Sequence, residues 1–244
     1  MTESASFIAA DWPAPTNIKA GVTTRVGGAS LPPLASFNLG INVEDDPVCL
    51  AENRRRLRER LRLPQEPAWL RQVHGTRVVP AADGEAEADG SWADRPGIVC
   101  AVLTADCLPV LLCDDAGERV AALHAGWRGL AAGIIEQGVA ALQTAPATLM
   151  AWLGPAIGPA VFEVGGEVRA AFLRQSPAAA ECFVPADREG HWYADLYGLA
   201  RERLQRLGID RVYGGGFCTY RQKDMFYSYR RDGRTGRMAS LIWR

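Results

Sequence analysis

Residues 97–103 and 108–113 form two apolar runs that constrain this chain more than any other feature. Neither run alternates, so both read as strands covered on each face, as in a sheet buried between layers. Between them stands Thr104-Ala105-Asp106-Cys107. A hydroxyl, a carboxylate and a thiol at the join of two buried strands are costly unless they are paired or bind something. The fold is therefore expected to be organised around a sheet with chemistry built into it.

The chain has three histidines, and two of them flank Cys107: His74 lies 33 positions before it and His124 lies 17 after it. Those separations are too long for the local loop of a zinc finger, so the three can meet only if folded strands bring them together. A thiolate and two imidazoles suit a borderline-soft ion, and a tetrahedral zinc held by three ligands keeps a position open for water or substrate. Asp106 or Asp89 could orient a ligand histidine; Asp89, in Ala88-Asp89-Gly90, is most simply a turn residue. A second chemistry uses the same atoms, with Cys107 as nucleophile, a histidine as base and Asp106 or Asn38 as orienter. A binding module without turnover, in which Cys107 serves stability alone, is the alternative from another class. The third histidine, His191, is expected in an exposed polar turn.

Length and charge narrow the field. At 244 residues, one large domain spanning residues 1–244 is expected. Twenty-seven basic against 28 acidic side chains leave no global field for nucleic acid or an anionic membrane surface. The N-terminal residues lack a basic start followed by an apolar run, and the longest apolar tract is interrupted by Asp106 and Pro109, so a cytoplasmic protein without a membrane span is expected. Six scattered cysteines read as thiols, with Cys49, Cys100, Cys113 and Cys182 as small core residues.

Along the chain, residues 17–24 read as a strand, followed by the turn Arg25-Val26-Gly27-Gly28, whose amides could cradle an anion. Asn38 is either a turn former or a polar group aimed into a pocket. Asp46 and Pro47 start a helix running to about residue 63, with Leu50, Leu57 and Leu61 on one face and a solvated, arginine-rich face opposite. Residues 68–73 should be a strand ending at His74-Gly75. The acidic, alanine-rich stretch 80–96, with two Asp-Gly turns, should be an exposed connection. Residues 118–123 read as a strand, 125–143 as a helix, 150–153 as a strand, 165–175 as a helix, and Asp195 caps a helix closed by Gly208. Residues 226–231 and 237–243, joined by Asp232-Gly233, read as a terminal hairpin. Tyr227, Tyr229 and Arg230 would form either a stacking, anion-binding wall or ordinary cross-strand packing.

A family resemblance follows from seven motifs in order: Thr24-Arg25-Val26-Gly27-Gly28, Phe37-Asn38-Leu39-Gly40, Gln72-Val73-His74-Gly75, Ala88-Asp89-Gly90, Thr104-Ala105-Asp106-Cys107-Leu108-Pro109-Val110, His124-Ala125-Gly126-Trp127-Arg128-Gly129 and Gly154-Pro155-Ala156-Ile157-Gly158. The chain resembles the bacterial YfiH family, also known as the laccase-domain or polyphenol-oxidase family and related to mammalian FAMIN. The likeness continues through Phe226-Tyr227-Ser228-Tyr229-Arg230-Arg231 and Thr235-Gly236-Arg237. It implies an α/β (α+β) layered sandwich around a large mixed sheet. It also implies a catalytic zinc held by His74, Cys107 and His124. The implied activity is that of a purine nucleoside phosphorylase taking adenosine, inosine and methylthioadenosine with phosphate, together with adenosine deamination. By their nearness to these motifs, Arg25, Arg71, Arg128 and Arg230 are the candidates for phosphate and Asn38 for a ribose hydroxyl. The resemblance also admits a peptidoglycan-precursor editing hydrolase with a zinc or Cys-His mechanism. The family's laccase name suggests copper-dependent phenol oxidation, yet a multicopper oxidase needs many more histidines than three.

Overall fold

A computed structural model describes residues 6–82 and 86–244. The chain begins with β1 (Phe7–Ala9) and β2 (Lys19–Thr23), followed by α1 (Pro47–Leu61). Four short strands, β3 (Leu70–Arg71), β4 (Val78–Pro80), β5 (Ala86–Glu87) and β6 (Gly90–Ala93), precede the longer β7 (Cys100–Thr104), β8 (Leu108–Asp114) and β9 (Val120–Ala125). Next come α2 (Trp127–Ala132), α3 (Ile134–Leu142), β10 (Leu149–Leu153), β11 (Glu163–Gly165) and α4 (Gly166–Leu173). The chain ends with β12 (Phe183–Pro185), β13 (His191–Ala194), α5 (Leu196–Arg206), β14 (Val212–Gly214), α6 (Tyr229–Asp232) and β15 (Met238–Trp243).

Two sheets carry the architecture. One has the order β14-β10-β8-β9-β6-β4, and its outer pairs β10·β14 and β4·β6 are parallel while the rest are antiparallel. The other has the order β1-β2-β15-β7. Their facing sides share a core that includes Leu111, Val120 and Met150 from the first sheet and Val22, Val102 and Ile242 from the second. The far face of the six-stranded sheet packs Val110, Leu112 and Leu123 against Ile135 and Val139 of α3 and Leu199 of α5. The far face of the four-stranded sheet packs Ala101, Ala239 and Leu241 against Leu57 of α1. Helix, sheet, sheet and helix thus form the layered sandwich expected, around a mixed sheet. Every residue of β8 and β9 is buried, as the unbroken apolar pattern requires.

Local signals account for the helices. The Asp46 carboxylate accepts from the Val48 amide, Pro47 occupies the first turn of α1, and Leu50 and Leu57 are buried. Asp195 caps α5 in the same way, accepting from Tyr197 N.

Four expectations are corrected. The helix foreseen over 125–143 is two helices, because Gly133 sits at φ +106°, outside the helical region. The stretch 80–96 is not an exposed connection: it contains β6, which pairs with β9 and β4, and Asp89 is fully buried; its Asp83-Gly84 turn lies outside the described residues. The terminal hairpin is absent, since β15 inserts between β2 and β7 and takes both as partners. Residues 229–232 form α6, capped by the Ser228 hydroxyl, which accepts from Arg231 N. His191 opens strand β13 instead of lying in a turn.

Candidate metal centre and substrate cavity

Cys107 lies where the chain crosses from β7, in one sheet, to β8, in the other. The crossing is tight: Asp106 has φ +88°, and its carboxylate accepts from Thr219 Oγ1 (2.6 Å), Ser228 Oγ (3.0 Å) and Arg230 N (2.7 Å). Antiparallel pairing then sets the neighbours. Leu108 faces Ala125 and Pro109 faces His124, so Cys107 and His124 come together through strand register.

Asp89 brings in the third member. It immediately precedes β6, and its carbonyl accepts from His124 N at 2.7 Å. Its side-chain Oδ1 lies 2.8 Å from His124 Nδ1. The same carboxylate accepts from the amides of Val73 (3.2 Å), His74 (2.9 Å) and Gly75 (2.7 Å). Three consecutive amides can converge on one acceptor because His74 has the left-handed φ of +61°. One buried carboxylate therefore fixes the ring of His124 and the backbone of His74 together. The sequence left Asp89 and Asp106 as equal candidates for this part; Asp89 fills it, and Asp106 is engaged elsewhere.

The ligand atoms of His74, Cys107 and His124 lie within 4.8 Å of one another, with Cys107 Sγ 3.8 Å from His74 Nε2. The rings of His74 and His124 meet edge to face with centroids 4.8 Å apart. Gly126 makes the approach possible, since a Cβ there would stand 2.9 Å from His74 Cδ2 and 3.0 Å from Cys107 Sγ. Burial opposes a charged thiol at Cys107, but His124 and His74 outweigh it and bring its pKa down to about 6. His124 moves the other way: burial disfavours its charge, yet Cys107 and Asp89 raise its pKa to about 9. Asp89 is held below the ordinary carboxylate range despite its burial, through His124 and the Gly75 amide. With Nδ1 of His124 committed to Asp89, its Nε2 is left as donor. Two imidazole nitrogens and a readily ionised thiol are a donor set that fits zinc or copper.

The cluster opens on a cavity of about 490 Å³. Part of its lining comes from residues 40–43, Arg54, Trp69, Gln72, Leu103 and Arg237, and part from Trp127, Arg128, Ile157, Phe162, Tyr229 and Arg230. Three of the arginines lie over aromatic rings: Arg54 over Trp69, Arg128 over Trp127 and Arg230 over Phe162. Asp106 is the one carboxylate in the lining, and its oxygens are already taken. Among the described residues, Arg128, Arg230 and Arg237 form no ion pair with a carboxylate. The cavity is a basic chamber with flat apolar walls.

Two of the five substrate residues expected from the sequence, Arg128 and Arg230, line this cavity, and three do not. Arg25 donates to the carbonyls of Ala35 and Lys223 and stacks over Tyr227. Arg71 pairs with Glu87 on the surface at 2.6 Å. Asn38 is fully buried, with Oδ1 accepting from Gly40 N and Arg237 N and its amide donating to Gly40 O and Asp45. Its hydrogen-bonding capacity is spent on the loop that carries it. Tyr227 is also buried, donating to Leu34 O, so only Tyr229 and Arg230 of the proposed aromatic wall face the cavity. Arg54 and Arg237 were missed. Arg54 was visible in the sequence, because it falls on the stripe of Leu50, Leu57 and Leu61, where a solvated arginine has no place.

Fold, cluster and cavity together define a class: a layered sandwich with one histidine-cysteine-histidine centre at the mouth of an arginine-lined chamber. The chain belongs to the family described as "Multi-copper polyphenol oxidoreductase laccase", which it matches over residues 19–244. Among its relatives, a purine nucleoside phosphorylase of Pseudomonas aeruginosa is 54% identical over 239 residues, covering 98% of each chain. Escherichia coli K12 has another so named, YfiH, 50% identical over 241 residues, or 97% of this chain and 98% of its own. The crystal structure of a Neisseria meningitidis protein superposes with a TM-score of 0.94 at 51% identity, covering 98% of each chain. The YfiH resemblance read from the motifs is thereby confirmed.

Proposed function

We propose that this single-domain protein is a cytoplasmic, zinc-dependent purine nucleoside phosphorylase acting on adenosine, inosine and methylthioadenosine, and that it also deaminates adenosine. The observation that carries the reading is a thiolate-imidazole cluster opening on a chamber with both aromatic surfaces and arginines unpaired with acids. The names of its relatives point to the same chemistry. No helix of the described residues is long and apolar enough to cross a membrane.

His74, Cys107 and His124 would hold the metal, which would supply Lewis acidity at the purine. The rest of the chemistry falls to the chain. Trp69, Trp127, Phe162 and Tyr229 offer flat surfaces on which a purine can stack. Arg128 and Arg230 neutralise an anion, and an arginine fork matches phosphate oxygens in pairs. In phosphorolysis the bond between C1′ and the purine nitrogen breaks, a phosphate oxygen bonds C1′, and the departing base gains a proton. Deamination exchanges the C6 amino group for oxygen from water and needs no phosphate. Asp89 holds His124 in one tautomer throughout, with Nδ1–H directed at the carboxylate.

Product analysis tests this reading. Adenosine should yield adenine and ribose 1-phosphate only with phosphate, and inosine without it, and Cys107→Ala should lose both reactions. Wild-type protein that holds zinc and forms neither product would sink the proposal.

One observation favours a second reading. Cys107, His124 and Asp89 stand in series, the order that a cysteine nucleophile, its base and an orienting carboxylate require. That arrangement would serve hydrolysis of a wrongly built peptidoglycan precursor. Activity on such a precursor that persists after chelation would favour it. Multicopper oxidation is not supported, since the chain's three histidines are too few.

A further inference from the structure

Arg237 follows Thr235-Gly236 and immediately precedes the first residue of β15, in the lining of the cavity. Its surroundings are built to hold it in one place. Nη1 donates to the carbonyls of Thr235 (2.7 Å) and Gly236 (3.0 Å). Its backbone amide donates to Asn38 Oδ1 at 2.9 Å, and that oxygen also accepts from Gly40 N at 3.0 Å. Gly40 leaves room for the side chain, because a Cβ there would stand 2.7 Å from Arg237 Cγ. Asn38 is fixed in turn by donating to Asp45 at 2.8 Å and Gly40 O at 3.0 Å.

Among the described residues, no carboxylate forms an ion pair with the guanidinium. Burial presses its pKa down, while Cys107 first and then Asp106 favour its charge; all three line the same cavity. Asp106 already accepts from three donors. A half-buried guanidinium without an ion-pair partner is costly to keep. Arg128 and Arg230 instead lie over rings, and Arg230 Nη1 donates to Glu163 O.

We propose that Arg237 joins Arg128 and Arg230 in gripping the tetrahedral oxyanion, using the guanidinium edge that its bonds to Thr235 O and Gly236 O leave over, and that Asn38 is its positioning residue. The assignment rests on the phosphorylase reading only for the identity of that anion as the phosphate co-substrate. It gives the buried Asn38 a part in the reaction at one remove, through the backbone of Arg237.

The test compares wild type, Arg237→Gln and Arg237→Lys as zinc-loaded protein, by the KM for inorganic phosphate in phosphorolysis and by the thermal shift that inorganic phosphate induces. Loss of a charge-assisted pair should raise the phosphate KM of Arg237→Gln about 10- to 100-fold while the nucleoside KM stays within about twofold. Arg237→Lys should recover only part, since an ammonium keeps the charge without the fork. A phosphate KM within twofold of wild type in Arg237→Gln overturns the assignment. If wild type performs no phosphorolysis, the phosphorylase reading fails, and the thermal shift still decides the subsite. A shift present in wild type and lost in Arg237→Gln supports it. Equal shifts in both proteins, or none in wild type, overturn it. Should Arg237→Gln not fold, Arg237→Lys decides by whether its phosphate KM rises severalfold or stays unchanged.

Discussion

The candidate metal cluster and the three ring-stacked arginines of the cavity are built by different means. His124 is fixed by the pairing of β8 with β9, Cys107 by the tight crossing into β8, and His74 by three amides gathered on Asp89. Arg54, Arg128 and Arg230 rest on aromatic rings, and Arg230 also donates to Glu163 O. The first region is held by main-chain geometry that tolerates no adjustment. The second is held by stacking, which lets a side chain slide without leaving its place. Changes in the cluster should therefore act nearly all-or-none, and changes in the lining should be graded.

The largest effect belongs to Cys107→Ala, which removes a ligand and the negative charge that keeps His124 protonated. Bound metal and turnover should both fall to background, measured by elemental analysis and product formation. Retained metal would break the comparison at its rigid end. Next is Asp89→Asn, which keeps the shape but removes the charge behind His124. Loss of a carboxylate behind a ligand histidine costs roughly 10–100-fold in metal affinity. A chelator competition should show that fall; equal affinity would mean that strand register alone orients the ring.

The cluster also predicts a pH response in metal-free protein. His124, raised to about 9, stabilises the fold below its ordinary value of 6.5, and that contribution is lost as pH rises through about 9. Cys107, lowered to about 6, contributes above its ordinary value of 9.0 and loses that contribution as pH falls through about 6. The two slopes oppose each other, because folding moves a proton from thiol to imidazole without net uptake. Stability should thus change little on account of this pair between about 6.5 and 9. The thiolate itself should be visible, with alkylation of Cys107 in metal-free protein rising with a midpoint near 6 in place of 9. A midpoint near 9 would mean that the two rings do not hold the charge.

How far these regions can be read from sequence follows the same division. The three residues that the fold gathers into one cluster sit in short, distinctive motifs, so they could be singled out together, and the two apolar runs announced the sheets. Asp89 was foreseen only as an option, since its grip on residues 73–75 depends on the left-handed backbone of His74, which no residue pattern announces. The C-terminal stretch was misread for a physical reason. Alternation over residues 226–231 fits a hairpin, but the adjacent Phe226 and Tyr227 are both buried in one core while Ser228 and the Arg230 amide bind Asp106 across more than a hundred positions. The arginines suffered most, because nearness to a motif says little about which way a side chain leaves the backbone.

Arg71 gives the smallest predicted effect and the sharpest form of that last point. It lies three residues before His74, yet the strand turns its side chain outward to Glu87, while the next residue, Gln72, brackets the backbone of Leu103 with both ends of its amide. Leu70 and Gln72, on either side of it, line the cavity, and Arg71 between them does not. An exposed ion pair contributes about 0–1 kcal/mol. Arg71→Ala should therefore shift stability by no more than about 1 kcal/mol in denaturant unfolding and leave KM for phosphate and nucleoside unchanged. Gln72→Ala should do more, because two partly buried backbone groups of Leu103 lose their partners, at about 1 kcal/mol or more together. If Arg71→Ala instead raised the phosphate KM, the surface pair with Glu87 would have to open during binding, and the division between a rigid cluster and an adaptable lining would have to include this strand.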